Sequence, residues 1–226
     1  MSIRWSALAC DYDGTIASAG RVRPTTLEAL AQVRHSRRKL ILVTGRELDD
    51  LLGVFPLISL FDRVVAENGA LLYDPAIRKK QLLSSQASGE FIEALEQRNL
   101  EPLSVGEAIV ATSRSQRRIV CDVLQELGLD LQIVFNKGSL MVLPQGTSKA
   151  TGLIGALHQL GVAAEATVGV GDAENDQDFL DICGYSVAVA NALPALKRKV
   201  DLVTRGDHGD GVVELVKHLL NGNAKP

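Results

Sequence analysis

Through its first 70 residues the chain alternates short, nearly unbroken apolar runs with stretches of helical periodicity. An apolar run over 5–10 ends at two aspartates, Asp11 and Asp13. Pro24 stands where a first helical turn begins, and Leu27, Leu30, Ala31 and Val33 follow helical spacing. The run over 40–44 is almost wholly aliphatic, as expected of a strand buried on both faces. A short helix is predicted over 47–55, ended by Pro56, and a third strand over 63–66. Glu67-Asn68-Gly69 then signals a turn. Strands alternating with helices imply βαβ units and a parallel sheet.

The same alternation returns after residue 146. Helices are predicted over 148–160, 174–182, 193–199 and 211–220, and strands over 166–170, 186–190 and 202–204. The middle of the chain reads differently. Helical patterns over 89–98 and 115–127 are mixed with strands over 108–112, 132–135 and 140–143. The last two strands are joined by the hairpin signal Asn136-Lys137-Gly138-Ser139. The predicted fold is α/β, with a doubly wound (Rossmann-like) parallel-sheet core from residues 1–75 and 146–226. A small α+β cap domain is inserted over 76–145; one continuous α/β domain with an antiparallel edge is the alternative.

Composition narrows the class. With 46% hydrophobic and 23% charged residues over 226 positions, the chain is not wholly disordered and is long enough to bury its own core. A net charge of −3 argues against a nucleic-acid partner. Its basic clusters, at Arg34–Arg37–Arg38–Lys39 and Arg114–Arg117–Arg118, read as solvated helix faces. No run is long enough to span a membrane, and the N-terminus leads straight to Asp11 with no room for a signal peptide. Three widely spaced cysteines favour free thiols in a cytoplasmic protein.

Chemistry concentrates at strand ends. Asp11-Tyr12-Asp13-Gly14-Thr15 follows the first strand, where active sites of doubly wound sheets lie. Two carboxylates there can divide nucleophilic and proton-transfer work, and both can offer oxygen to one Mg²⁺. A calcium loop is excluded, because its sixth and twelfth positions hold Ile16 and Val22. Thr44-Gly45-Arg46 closes the second strand; its hydroxyl and backbone N–H groups can take phosphate oxygens, although a Thr closing a strand before Gly is more often a structural cap. Lys149, near a helix start, can act as a point charge on phosphate. Gly171-Asp172-Ala173-Glu174-Asn175-Asp176 ends another strand. If a helix begins at 174, Asp172 and Asp176 are the better pair, with Asn175 beside them. The scattered histidines at 35, 158, 208 and 218 have no metal-ligand spacing. Taken together, two acidic clusters, a hydroxyl and a lysine suit Mg²⁺-assisted phosphoryl transfer.

These segments, in order and spacing, resemble the four motifs of the haloacid-dehalogenase-like phosphohydrolases. Glu67-Asn68-Gly69-Ala70, Ala188-Val189-Ala190-Asn191-Ala192 and Asp210-Gly211-Val212 resemble the Cof-type subgroup, whose cap is inserted between the second and third motifs. The cap resembles those of archaeal-type phosphoglycolate phosphatases and of sugar-phosphate phosphatases. The resemblance implies Asp11 as nucleophile and Asp13 as general acid and base. It implies Thr44, Gly45, Lys149 and Asn175 around the phosphate, and Asp11, Asp13 (through its backbone carbonyl), Asp172 and Asp176 around Mg²⁺. The implied substrate is a small phosphorylated metabolite, with the protein a monomer or homodimer. A phosphomannomutase-type mutase and a catalytically idle phosphate-binding protein are the alternatives. Arg114, Arg117, Arg118 and Lys137 are candidate contacts for an anionic substrate tail.

Overall fold

The structure is a computed structural model that describes residues 5–221; the segment 1–4, which entered the signal-peptide reading, lies outside them. The chain opens with β1 (Ala7–Asp11), a hairpin of two-residue strands β2 (Ala17–Ser18) and β3 (Arg21–Val22), and α1 (Pro24–His35). It continues through β4 (Lys39–Val43), α2 (Leu48–Val54), β5 (Arg63–Ala66), β6 (Leu71–Asp74) and β7 (Lys79–Leu82). The middle segment holds α3 (Gly89–Gln97), β8 (Leu103–Val105), β9 (Val110–Ser113), α4 (Arg117–Glu126), β10 (Leu131–Asn136) and β11 (Ser139–Pro144). The last segment runs α5 (Lys149–Leu160), β12 (Thr167–Gly171), α6 (Gln177–Ile182), β13 (Tyr185–Ala188), α7 (Pro194–Lys197), β14 (Leu202–Val203) and α8 (His208–Leu220).

The main sheet has the order β14-β13-β12-β1-β4-β5-β6-β7. It is parallel from β14 to β5, and β6 and β7 add antiparallel. From the central pair β1–β12, β4 and β5 extend one way, β13 and β14 the other. Right-handed crossovers running in opposite directions put α1 and α6 on opposite faces. The central strands are apolar and fully buried, Leu8, Ala9, Leu40, Ile41, Leu42, Val43, Val168 and Val170 among them.

A second, antiparallel sheet of order β10-β11-β9-β8 has a core of its own with α3 and α4, including Phe91, Leu95, Val120, Val123, Leu140 and Val142. β7 falls within 76–145, the span assigned to the insertion, yet it pairs with β6 in the main sheet. Its Lys79-Lys80-Gln81-Leu82 sequence has none of the apolar alternation that marks a strand from sequence. Between the two layers lies a small apolar contact of Ala70, Ala108, Ile109, Met141 and Leu143.

Two predicted elements are corrected. The helix expected over 174–182 begins with a 3₁₀ turn, Glu174–Asp176, before α6. The last helix starts at His208 rather than 211.

Candidate active site

The reversal of strand order brings the chemistry-bearing residues together. β1 pairs in parallel with β12 through Cys10 and Val170, and with β4 through Asp11 and Val43. Asp11 ends β1, Thr44 follows β4 and Asp172 follows β12, so all three emerge at the carboxyl edge where the crossovers diverge.

Lys149 comes from the first turn of α5, which Ser148 and Thr151 cap reciprocally. The turn after β5 seats that helix. Gly69 has φ +105°, and a Cβ there would stand 1.9 Å from the Ser148 carbonyl oxygen, so only glycine lets α5 approach this closely. The Lys149 ammonium donates to Asp11 Oδ1 and Asp176 Oδ1, both at 2.6 Å, and all three side chains are buried. Asp176 Oδ2 accepts the backbone N–H groups of Asp172 at 2.7 Å and Ala173 at 2.9 Å, which fixes the loop after β12.

Oxygens of Asp11, Asp172 and Asp176 lie within 4.8 Å of one another, and among the described residues Asp11 Oδ2 has no hydrogen-bond partner. Burial pushes the Asp11 carboxyl up to about 8, with repulsion from Asp176 and Asp172 adding to it and Lys149 opposing. Burial also raises Asp172, against the pull of Lys137. Lys149 would be lowered by its burial, but Asp11 and Asp176 outweigh that and hold it charged. Buried, convergent, hard carboxylate oxygens with one orphaned atom fit a divalent cation.

The Asp13 side chain is not in that cluster. It takes a bidentate ion pair from Arg46, at 2.6 Å from Nε and 2.8 Å from Nη2, while Nη1 of Arg46 holds Asp50 at 2.5 Å. Thr44 Oγ1 accepts the Arg46 backbone N–H at 3.1 Å. Asn175 does not point into open space: its Nδ2 donates to Asn68 Oδ1 at 2.9 Å, and its own Oδ1 is buried without a partner among the described residues. Gly14 adopts φ +88°, and a Cβ there would lie 2.1 Å from Asp172 Oδ2. Its carbonyl accepts from Asn191 Nδ2 at 2.8 Å and lies 2.8 Å from His208 Nδ1, which holds the loop in place.

A cavity of about 600 Å³ opens above Asp11, Asp13, Thr44, Gly45 and Arg46, and the second sheet closes it with Ala111, Asn136–Ser139 and Met141. Of the four cations singled out in the middle segment, Lys137 lines this cavity. Arg114 stacks on Phe135, 4.4 Å from its centroid, with Arg117 beside it at 6.0 Å. Sequence reasoning missed the carboxylate of Glu67, buried at the end of β5. It accepts the N–H groups of Glu107 at 3.0 Å, Ala108 at 2.8 Å and Ile109 at 3.1 Å, pinning the loop before β9 to the main sheet. The turn signal at Glu67-Asn68-Gly69 was visible in sequence, but its long-range partner was not. Cys10 is buried in β1, and His158 and His218 are exposed on helices. Among the described residues no helix is long and apolar enough to cross a membrane.

Known proteins match this arrangement along nearly the whole chain. The family model described as haloacid dehalogenase-like hydrolase matches residues 8–120 and 124–216. A phosphoglycolate phosphatase of Methanothermobacter thermautotrophicus is 31% identical over 95% of this chain and 98% of its own. Phosphoglycolate phosphatase 2 of Saccharolobus solfataricus is 28% identical over 96% and 93%. The crystal structure of a haloacid dehalogenase-like hydrolase from Bacteroides thetaiotaomicron superposes with a TM-score of 0.78 at 17% identity, covering 95% of this chain and 99% of that one, so the fold is shared. The chain belongs to the haloacid dehalogenase-like hydrolases and is an enzyme of their phosphatase type.

Proposed function

We propose that the protein hydrolyses a small phosphomonoester, of the size of phosphoglycolate or a sugar phosphate, through a phosphoryl group carried on Asp11. The observation that carries this reading is the buried Asp11–Lys149–Asp176 bridge, with Asp172 beside it, beneath a cavity lined by Thr44 and Gly45. The phosphoglycolate phosphatase relatives support the substrate size.

Asp11 attacks phosphorus, forming an Asp11 O–P bond as the bond to the leaving oxygen breaks. Asp13 gives that oxygen its proton. A water then attacks phosphorus, Asp13 takes the water proton, the Asp11 O–P bond breaks and inorganic phosphate leaves. In the ion pair with Arg46 Asp13 is a carboxylate, so before the first step it must leave Arg46 and take a proton from solvent; later turnovers use the proton it takes from the attacking water. Lys149 keeps Asp11 aimed and offsets charge on the phosphoryl oxygens, with the Thr44 hydroxyl and Gly45 N–H completing their cradle. Asn175 supports that cradle from behind, its Nδ2 lying 3.7 Å from where a Cβ on Gly45 would stand. Asp11, the Asp13 carbonyl and Asp172 would hold Mg²⁺, with Asp176 in or just behind the ligand set. When bound, the cation would neutralise phosphoryl charge and lower the repulsion between Asp11 and an anionic substrate. The sheet β8–β11 with α3 and α4 would act as the cap, starting after β7.

Phosphate release from phosphoglycolate and a sugar-phosphate panel, with Mg²⁺ and with a chelator, tests the reading. Release that needs Mg²⁺ and disappears in Asp11→Asn is expected. Release undiminished in Asp11→Asn would overturn it.

A further inference from the structure

The β10–β11 turn brings one cation from the second sheet against the carboxylates of the main sheet. The Lys137 ammonium lies 2.5 Å from Asp172 Oδ2, and its stem lines the same cavity as Asp11 and Thr44. The turn's backbone is held without the ammonium. Lys137 N–H donates to Glu174 Oε2 at 2.9 Å, and Arg114 Nη1 donates to the Lys137 carbonyl at 3.2 Å. The side chain itself is 44% exposed, so the charged head can move while its base stays fixed.

Charge bookkeeping in the cavity singles this group out. Its lining cations are Arg46 and Lys137. Arg46 is committed to Asp13 and Asp50. Lys137 is committed to Asp172, one of the oxygens that converge with Asp11 and Asp176. With a divalent cation bound there, Lys137 would be repelled and would lose Asp172 as its partner. Lys137 would then face the cavity, in a cap wall whose other side chains, Asn136, Ser139, Met141 and Ala111, are uncharged. A neutral leaving group gives that ammonium no partner; an anionic one does.

We propose that Lys137 is a specificity-determining residue that reads a carboxylate on the leaving portion of a short phosphomonoester, and that it rests on Asp172 until a divalent cation displaces it. The inference builds on the hydrolytic reading above and adds the substrate's second charge and the group that recognises it.

Two measurements test it. The first compares kcat/KM for phosphoglycolate with kcat/KM for ethyl phosphate, whose short tail is neutral. Lys137→Gln is expected to lower the ratio of the two by about ten- to a hundredfold, the range of a charge-assisted hydrogen bond, and Lys137→Arg to restore most of it. The second is calorimetric titration of Mg²⁺ into metal-free protein without substrate. Lys137→Gln is expected to tighten binding by about two- to tenfold, because an internal competitor has been removed. A ratio within about threefold of wild type, from a wild type that hydrolyses both compounds, overturns the specificity role alone. Unchanged or weakened Mg²⁺ affinity overturns the resting position. A wild type that binds Mg²⁺ but hydrolyses neither compound overturns the hydrolytic reading, and the inference with it.

Discussion

Replacing Lys149 by methionine removes one charge from the most buried ionic cluster among the described residues and keeps most of the stem's volume. Lys149 is 1% exposed, its partners Asp11 and Asp176 are 5% and 0%, and both contacts are 2.6 Å. Each attraction is about 6 kcal/mol at an effective dielectric constant of about 20, and most of that offsets the desolvation of the three ions. Removing one partner of such a group leaves carboxylates buried without a counter-charge, and the measured cost of doing so is about 3–5 kcal/mol. For a chain of this size that lowers Tm by about 6–20 °C, at about 2–4 °C per kcal/mol. Thermal melts and urea unfolding of both proteins in chelator at about pH 9, above the value of about 8 to which burial raises Asp11, so that both carboxylates are charged, measure the loss. Saturating Mg²⁺ should recover part of it, since the cation supplies charge to the same oxygens. A loss under about 1 kcal/mol in chelator would refute the reasoning, because it would mean that Lys149 is not the counter-charge these carboxylates depend on.

The pH dependence follows from Asp11, whose carboxyl burial raises from 3.8 to about 8. The folded state then holds a proton that the unfolded chain has released, so the contribution of Asp11 to metal-free stability is full below about pH 4 and is lost as pH rises through about 8; urea unfolding of wild type and Asp11→Asn across that window should record it as a difference in slope. Saturating Mg²⁺ should flatten the slope. Gly14→Ala forces a Cβ to within 2.1 Å of Asp172 Oδ2 at φ +88°; calorimetry should find Mg²⁺ binding weakened at least about tenfold, and unfolding a stability loss of about 1–3 kcal/mol. Glu67→Ala orphans the N–H groups of Glu107, Ala108 and Ile109, and hydrogen exchange at these amides should rise sharply with a stability loss of at least about 2 kcal/mol.

The sequence carries the main architecture because its signals are local. β1, β4, β5 and β12 are continuous apolar runs that must be buried on both faces, and each ends in a Gly-containing polar segment. The convergence of Asp11, Lys149, Asp172 and Asp176 follows from that pattern once strand order reverses between β1 and β12. What was not legible is either too short or too distant. The hairpin β2–β3 has two-residue strands, β7 is charged, and β8 has three residues, so none has a period to detect. The hold of Glu67 on residues 107–109 and of Lys137 on Asp172 joins positions about 35–42 residues apart, which only tertiary packing brings together. Asn175 illustrates the same limit. The resemblance implies a place for it around the phosphate, and the residue that holds its amide nitrogen is Asn68, 107 residues away.

The most direct test of the account is whether Asp11 carries the phosphoryl group. Wild-type protein mixed with Mg²⁺ and phosphoglycolate is quenched in acid within a single turnover, digested and analysed by mass spectrometry. A phosphoryl adduct on the peptide containing Asp11, absent from Asp11→Asn, is the predicted result. Phosphate release by the wild type with no adduct at any quench time, matched by equal release from Asp11→Asn, would contradict the account.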